Sequence, residues 1–158
     1  MIPEEVRSAV GKVGLPMIRE VEKGAVRRYA EAVGNDNPLH RDETYAAASR
    51  YAAITAPPGF FGWPLKPVKA TTGHPDIVLE LQEALARAGF PRILDGGITY
   101  DFYLPVRAGD ILIASVMIQD VSEKEGKSGR MMVCQFETSY LNKNADLVAK
   151  SRQTFIAR

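Results

Sequence analysis

The sequence predicts an α+β fold in which one antiparallel sheet packs against helices. Two segments in the first half carry apolar residues at helical spacing, whereas the hydrophobic period changes to two from Gly97 onward. Three strand-like segments then follow one another with turn-forming residues between them, as in consecutive hairpins. An α-rich half followed by hairpin-linked strands is typical of layered α+β proteins.

Three elements are predicted before the first polar loop: a short helix within Pro3–Val10, an extended segment Leu15–Val21 and a helix Lys23–Val33. Pro3 suits the first turn of a helix, where a missing N–H costs nothing. The third element has one apolar stripe with the spacing of a helix face. The stripe consists of Val26, Tyr29, Ala30 and Val33.

Further helices are predicted after that loop. Asp42 can cap a helix over Glu43–Arg50, because its carboxylate can accept hydrogen bonds from the first free amides. A helix could also begin at Gly59–Trp63, with Pro58 at its first position. The segment Asp76–Ala88 has a clear helical stripe and is followed by a glycine.

The second half of the sequence is predicted to form strands. Ile98–Leu104 alternates apolar and polar residues, and Ile111–Val121 is β-branched and apolar, as a strand buried on both faces would be. Ser122–Gly129 has the composition of a solvated hairpin loop. Two more strands are predicted at Arg130–Leu141 and Leu147–Ala157, joined by a turn.

Composition limits the possible functions. A chain of 158 residues fits one domain, 1–158, and 20 basic against 19 acidic side chains give no field to attract nucleic acid or a membrane. The single Cys134 excludes an internal disulfide, and one cysteine with two histidines makes a metal site unexpected. Nothing in the residues suggests secretion or a membrane span. We therefore expect a cytoplasmic protein without a metal or other cofactor.

The polar residues concentrate in one connector, Asn35–His40, between two predicted helices. Gly34 stands where a helix end favours a residue that can take positive φ. Pro38 blocks any helical continuation and biases Asn37 toward an extended backbone. The connector therefore predicts a polar site on a short loop held by a helix at each end.

Three separated motifs together resemble the MaoC-like dehydratases, and more narrowly the N-terminal-type domain of that family. They are AVGNDNPLHRDETYA, APPGF and DGGITYDFYLPVRAGD, and the resemblance covers roughly residues 15–157. It implies a hot-dog fold, in which a long antiparallel sheet wraps a central helix. It also implies acyl-CoA or acyl-carrier thioester substrates and a homodimer or a heterodimer with another hot-dog chain. The implied reaction is reversible hydration of trans-2-enoyl thioesters to R-3-hydroxyacyl thioesters.

The resemblance also implies site residues. The family loop reads G-D-x-N-P-x-H, and its aspartate and histidine hold and activate one water. His40 and Asn37 stand at the matching histidine and asparagine positions, but Asn35 stands where the family has aspartate. An amide can orient a water but cannot accept its proton at neutral pH. Asp36, one residue further on, could point into the pocket or out to solvent.

The implied reaction needs a base for the attacking water, an acid for the α-carbon and donors for the thioester oxygen. A histidine such as His40 can serve as base and acid in one cycle. The family uses backbone N–H groups at a helix start as oxyanion donors, which here indicates Gly59, because the two preceding prolines have no N–H. Phe60, Phe61 and Trp63 could line an acyl tunnel.

Each of these residues also has a structural interpretation. His40 could be a hydrogen-bonded structural histidine, Asn35 and Asp36 could be turn formers, and the aromatic residues could be core. Three hairpin residues could contact coenzyme A phosphates or simply form a solvated turn; they are Lys124, Lys127 and Arg130.

Three functions remain open from the sequence. The first is a hydro-lyase, and the second is a catalytically weak or inactive acyl-binding subunit of a two-chain enzyme whose partner carries the Asp/His pair. The third is a thioesterase, which would need a helix carboxylate such as Glu80 or Glu83.

Overall fold

The computed structural model of the chain describes residues 2–64, 76–126 and 129–158. Within this part, the strands form a six-stranded antiparallel sheet in the order β2-β1-β4-β5-β6-β3. The strands are β1 Met17–Glu20, β2 Trp63–Pro64, β3 Ile93–Phe102, β4 Ile111–Gly126, β5 Gly129–Asn142 and β6 Leu147–Ala157. The helices are α1 Glu4–Arg7, α2 Lys23–Ala32, α3 Glu43–Ala48 and α4 Ile77–Arg87.

The helices cover one face of this sheet. On β4, Leu112 shares a core cluster with Val26 of α2, whereas Ile118 shares a second cluster with Leu81 of α4. Leu112 and Ile118 are an even number of residues apart on one strand, so they point to the same face. The two helices therefore cover adjacent parts of that face, and α2 lies over the part that leads into the polar loop.

The α2 and α4 helices confirm the predicted stripes, with one exception. Val26 and Ala30 are buried and Tyr29 is partly buried, but Val33 lies beyond the last helical residue and is 55% exposed. Asp42 caps α3 through a hydrogen bond from the backbone N–H of Tyr45, at 2.9 Å, as predicted. Residues with helical spacing and a polar cap thus determined these elements locally.

The α2 cap was not predicted. The Glu22 carboxylate accepts hydrogen bonds from the backbone N–H groups of Gly24 and Ala25, at 2.6 and 2.7 Å. These two bonds, followed by the nearby Arg28 guanidinium, lower the pKa of Glu22. Glutamate is a less common capping residue than aspartate or serine, so its role here comes from the path of the chain between β1 and α2.

Two strand predictions need correction. The described part of Ser122–Gly129 is strand and not loop, because β4 continues to Gly126 and β5 begins at Gly129; Lys127 and Ser128 lie outside the described residues. One of its charged residues, Glu123, instead accepts a hydrogen bond from Arg130 on the neighbouring strand. The prediction that Ile111–Val121 is buried on both faces is also wrong, because only Leu112, Ala114, Ile118 and Val121 are buried and the residues between them are partly or fully exposed.

The helix predicted to begin at Gly59–Trp63 is absent. The backbone instead makes a turn, in which the N–H of Phe60 donates to the carbonyl of Pro57 at 3.1 Å, and then enters β2. Gly62 has φ +77°, and a Cβ placed on it would lie 2.4 Å from the carbonyl oxygen of Glu20. The segment therefore approaches β1 so closely that only glycine fits at position 62, and the residues after it pair with β1 as a strand instead of forming a helix.

Candidate active site

The site loop lies between α2 and α3 and is fixed at both ends. Gly34 takes φ +67° at the end of α2, and the N–H of Asn35 donates to the carbonyl of Ala30 at 2.8 Å. At the other end, the guanidinium of Arg41 donates to the carbonyl of Asn35 at 2.7 Å. The Arg41 guanidinium therefore links the two ends of the loop that carries Asn35 and His40.

His40 is a buried side chain, 5% exposed, with both ring nitrogens in hydrogen bonds. Its Nδ1 lies 2.7 Å from the carbonyl oxygen of Thr55. A carbonyl can only accept, so Nδ1 carries the proton. In the neutral ring, Nε2 then holds the lone pair, and it lies 3.2 Å from Nδ2 of Asn35. The Asn35 amide therefore donates to Nε2.

The orientation of the Asn35 amide follows from its other hydrogen bond. The backbone N–H of Asn37 donates to Oδ1 of Asn35 at 3.1 Å, which turns the amide nitrogen toward His40. Asn37 in turn accepts from the N–H of Leu39 at 3.0 Å and starts the 3₁₀ turn Pro38–His40. The site loop thus presents an amide donor to the imidazole, and no carboxylate.

Asp36 does not enter the site. Its side chain is 94% exposed and accepts a hydrogen bond from Arg41 at 3.1 Å. Asp36 is also absent from the described residues that line the cavity beside His40. The prediction that Asp36 is a catalytic residue is therefore wrong, because Arg41 holds its carboxylate on the outer side of the loop.

A cavity of about 660 Å³ lies beside His40. Its described walls come from the site loop, the turn after α3, the Pro57–Phe61 segment and the chain after β3. The lining residues are Asn35, Asn37, Leu39, His40, Arg50, Tyr51, Thr55, Ala56, Pro57, Pro58, Phe60, Phe61, Phe102, Tyr103, Leu104, Pro105 and Val106. Apolar walls with a few convergent polar groups are typical of small-molecule sites.

The aromatic wall of this cavity is part of the core. Phe60 and Phe61 are each 4% exposed, and the Phe61 ring stacks on Tyr140 with centroids 4.1 Å apart. Tyr29 packs on Phe60 with centroids 5.1 Å apart. Phe60 and Phe61 therefore belong to the core and also line the cavity, whereas the role of that cavity as an acyl tunnel stays a prediction. The side chain of Trp63 lies outside the described residues, so its place in the pocket stays a prediction.

The ring of Tyr100 also lies beside the aromatic wall of the cavity. Its centroid lies 5.6 Å from that of the Phe61 ring. Burial, followed by the nearby Tyr140 and Tyr29, raises the pKa of the Tyr100 hydroxyl. In the sequence, only the alternating pattern of β3 indicated that Tyr100 points inward. That pattern does not show which residues the inward side chains contact.

Gly59 lies next to the cavity but is not among the described lining residues. It takes φ +90°, and a Cβ on it would lie 3.2 Å from the hydroxyl oxygen of Tyr29. The Gly59 assignment as oxyanion donor rested on a helix start that does not exist here. The N–H of the next residue, Phe60, donates to Pro57 within the turn.

The remaining charged candidates lie elsewhere. Glu80 and Glu83 line a separate groove between α1 and α4, so no thioesterase-type carboxylate faces the His40 cavity in the described part. Arg130 forms its ion pair with Glu123, and Lys127 lies outside the described residues. Within 2–64, 76–126 and 129–158 no group of three or more potential metal ligands occurs, nor any helix long and apolar enough to span a membrane.

Three residues of the cavity had no signal in the sequence. Thr55 supplies the carbonyl that fixes the His40 tautomer, and Arg50 and Tyr51 stand in the wall. Backbone acceptors of this kind can come from any residue type, and the folding of the chain after α3 decides which one lies there.

Comparison with known proteins gives the chain a family. The family described as FAS1-like, dehydratase domain region, matches residues 8–151. A UPF0336 protein of Saccharopolyspora erythraea is 30% identical over 139 residues, which cover 88% of this chain and 81% of the relative.

Solved structures give the fold. A chain of the ChsH1–ChsH2 complex from Mycobacterium tuberculosis superposes with a TM-score of 0.79 over 96% of this chain and 90% of that chain, at 17% identity. A chain of the C-terminally truncated HadBC complex, a 3R-hydroxyacyl-ACP dehydratase from the same organism, gives a TM-score of 0.67 at 25% identity. It covers 94% of this chain and 96% of that chain. The α+β hot-dog prediction is confirmed.

Proposed function

Because the chain belongs to the family of FAS1-like dehydratase regions, a MaoC-like hot-dog family, we propose that it is the acyl-binding half of a two-chain hydratase. The His40 cavity would take a trans-2-enoyl or R-3-hydroxyacyl thioester, carried by coenzyme A or by a carrier protein. A second hot-dog chain would supply the carboxylate and histidine that move protons. The dehydratase family description and the R-hydratase neighbours support a hydratase-type function, and the substrate and the division of labour are our own proposal.

The observation that carries this proposal is the hydrogen bond from Asn35 Nδ2 to His40 Nε2, at 3.2 Å. A general base needs a free lone pair within reach of the attacking water. In His40 that lone pair is already accepting a hydrogen bond, and Nδ1 is committed to Thr55. The described lining residues also include no carboxylate. The described lining therefore encloses an acyl-sized space but offers no base with a free lone pair.

The Asn35 amide keeps one donor hydrogen for a ligand. Only one hydrogen of the Asn35 amide is used by His40, and its oxygen is used by Asn37. The second amide hydrogen can bind the carbonyl oxygen of a thioester and stabilise charge that grows there during hydration. In that reaction the water oxygen bonds to the β-carbon, a proton reaches the α-carbon, and the thioester oxygen carries transient negative charge.

The exposed edge of the sheet supports a partner chain. β3 pairs only with β6 in the described sheet, and it carries partly exposed Leu94 and Ile98. Phe102, also half-exposed at 49%, lies at the end of this strand and in the cavity wall. An unpaired apolar edge is a ready surface for strand addition. A chain docked there would cover this side of the cavity, in agreement with the two-chain solved neighbours.

A second candidate is a hydro-lyase that works alone. Two observations favour it. His40 lines the cavity, and the Nε2 lone pair of His40 points toward the site loop. A water that displaced the Asn35 amide would meet a neutral imidazole that could act first as base and then as acid.

The test uses the purified full chain with crotonyl-CoA. We expect saturable binding of the thioester, with little or no loss of enoyl absorbance until a second hot-dog chain from the same source is added. His40→Ala should weaken the binding, whereas Glu80→Gln, in the other groove, should not. Rapid turnover by the chain alone that disappears in His40→Ala would favour the second candidate. A folded chain that binds no thioester would contradict both.

A further inference from the structure

Arg50 and Tyr51 form a paired unit in the wall of the His40 cavity. The Arg50 guanidinium lies over the Tyr51 ring, 4.7 Å from its centroid, and donates a hydrogen bond to the Tyr51 hydroxyl oxygen at 2.5 Å. Arg50 is exposed although it lines the cavity, so it stands at the opening and not in the interior.

The backbone around this unit is held in place. Tyr51 donates its N–H to Oγ of Ser49 at 3.1 Å, and its carbonyl accepts from Nε of Arg107 at 2.9 Å. The stacking contact with Tyr51 also restricts the long Arg50 side chain. A guanidinium whose position is fixed before a ligand arrives loses less conformational entropy on binding.

The charges around Arg50 are unbalanced. Among the described lining residues it is the one side chain with a permanent charge, and no carboxylate there compensates it. In the described chain Arg50 has no ion-pair partner, whereas Arg41 pairs with Asp36 and Arg27 pairs with Glu43. An uncompensated, pre-positioned guanidinium beside an apolar cavity attracts an anion.

We infer that Arg50 and Tyr51 bind a phosphate group of the arm that carries the acyl thioester. This inference rests on the proposed function, and it deepens it by naming how the carrier is recognised. The guanidinium can form two parallel hydrogen bonds to phosphate oxygens. The Tyr51 hydroxyl oxygen accepts from Arg50, so its own proton remains to donate to the same anion.

The basic residues predicted as a possible phosphate site, Lys124, Lys127 and Arg130, are less suited to bind this phosphate. The guanidinium of Arg130 is already paired with Glu123, and the described lining of the His40 cavity includes neither residue. A phosphate there would have to compete with a carboxylate for the same cation. Arg50 faces no such competitor among the described residues.

The experiment compares three crotonyl thioesters that differ only in phosphate. Crotonyl-CoA carries the phosphates of coenzyme A, crotonyl-phosphopantetheine carries one, and crotonyl-pantetheine carries none. Dissociation constants are measured for the full chain by calorimetry at low and at high salt. We expect the phosphate-bearing esters to bind about tenfold or more tightly than crotonyl-pantetheine at low salt, and the difference to shrink as salt screens the contact.

The variants separate charge from geometry. Arg50→Gln should weaken the phosphate-bearing esters about tenfold and leave crotonyl-pantetheine unchanged, whereas Arg50→Lys should recover part of the loss. Tyr51→Phe should cause a smaller loss. Arg92→Gln is the matched control, because Arg92 is exposed but is not in the described lining of the cavity.

Each outcome has one meaning. Loss with both phosphate-bearing esters assigns the contact to the phosphate that coenzyme A shares with carrier proteins, and loss with crotonyl-CoA alone assigns it to the nucleotide end. If the unsubstituted chain binds all three esters equally, the phosphate inference is overturned and the proposed function stands. The same conclusion follows if Arg50→Gln weakens the binding of crotonyl-pantetheine as much as that of the other two esters. A chain that binds none of the three overturns both.

Discussion

The amide nitrogen of Asn35 donates a hydrogen bond to Nε2 of His40, and this one contact determines what the site can do. The donor direction is fixed from both sides. Thr55 accepts the Nδ1 proton of the imidazole, and Asn37 donates to the Asn35 oxygen. An aspartate in place of Asn35 would have no hydrogen to donate, so a water could bridge the carboxylate and the imidazole.

Asn35→Asp should therefore give the chain hydratase activity or increase it. Restoring one positioned acid–base group is worth about 10²–10⁴ in rate, so we expect hydration of crotonyl-CoA to rise by at least 10²-fold. Loss of enoyl absorbance measures it. Asp36→Asn is the control, because Asp36 is 94% exposed and should not affect the rate. A folded Asn35→Asp chain with unchanged turnover would show that the missing carboxylate is not what limits this site.

Arg41 should hold the site loop in its conformation. Arg41→Met removes the hydrogen bond to the Asn35 carbonyl and the surface pair with Asp36. We expect a loss of about 1.5–3 kcal/mol in the free energy of unfolding, since one charge-assisted bond to a partly buried carbonyl is lost. Imidazole resonances of His40 in NMR spectra should shift as well.

The Asp36→Asn variant isolates the surface part of that effect. It removes the charge of an exposed pair but keeps the bond from Arg41 to the Asn35 carbonyl. We expect a change below about 0.5 kcal/mol. If both variants lost the same stability, the carbonyl contact would contribute nothing.

Gly62→Ala should destabilise the fold more than Gly89→Ala. Both glycines have positive φ, which costs an L-residue about 1–2 kcal/mol. Only Gly62 has backbone in the way, with the Glu20 oxygen 2.4 Å from the added Cβ, whereas nothing lies within 4 Å at Gly89. Denaturant unfolding should give about 1–2 kcal/mol for Gly89→Ala and clearly more for Gly62→Ala. Equal losses would mean that backbone strain alone matters at both positions.

The Glu22 cap should make stability depend on pH. Hydrogen bonds from Gly24 and Ala25 lower the pKa of Glu22 from 4.5 in the folded chain. A lowered folded-state pKa stabilises the fold above the unfolded-state value, and this contribution is lost as the pH falls through the folded-state value. The melting temperature of Glu22→Gln should be below that of the unsubstituted chain at pH 7. The gap should close below pH 4.5, and a gap independent of pH would exclude a role for the charge.

The β3 edge should mediate association. Ile98→Lys places a charge on an exposed apolar position of the edge strand, where lysine opposes strand addition. We expect weaker self-association or weaker binding of a second hot-dog chain in sedimentation experiments, with unchanged circular dichroism. Leu79→Lys, at a 53% exposed position of α4, is the matched control. Equal effects of both variants would remove β3 from the interface.

The sequence could not decide the orientation of the site residues. Asn35 and Asp36 are adjacent and both favour turns, so local preferences do not distinguish them. Arg41 draws Asp36 outward, while Asn37 turns the Asn35 amide toward His40. These contacts depend on a loop closed between α2 and α3, and only the folded chain brings them together.

What the sequence determined by itself was everything encoded in local periodicity and capping: the α2 and α4 stripes, the Asp42 cap, the hairpin-linked strands and the polar loop before α3. Tertiary structure alone decided the turn at Pro57–Phe61, the Glu22 cap and the unit of Arg50 and Tyr51 in the cavity wall. The physical reason is the distance along the chain between interacting groups. A helix stripe is specified within a few residues, whereas a carbonyl such as that of Thr55 reaches His40 only after the chain has folded back.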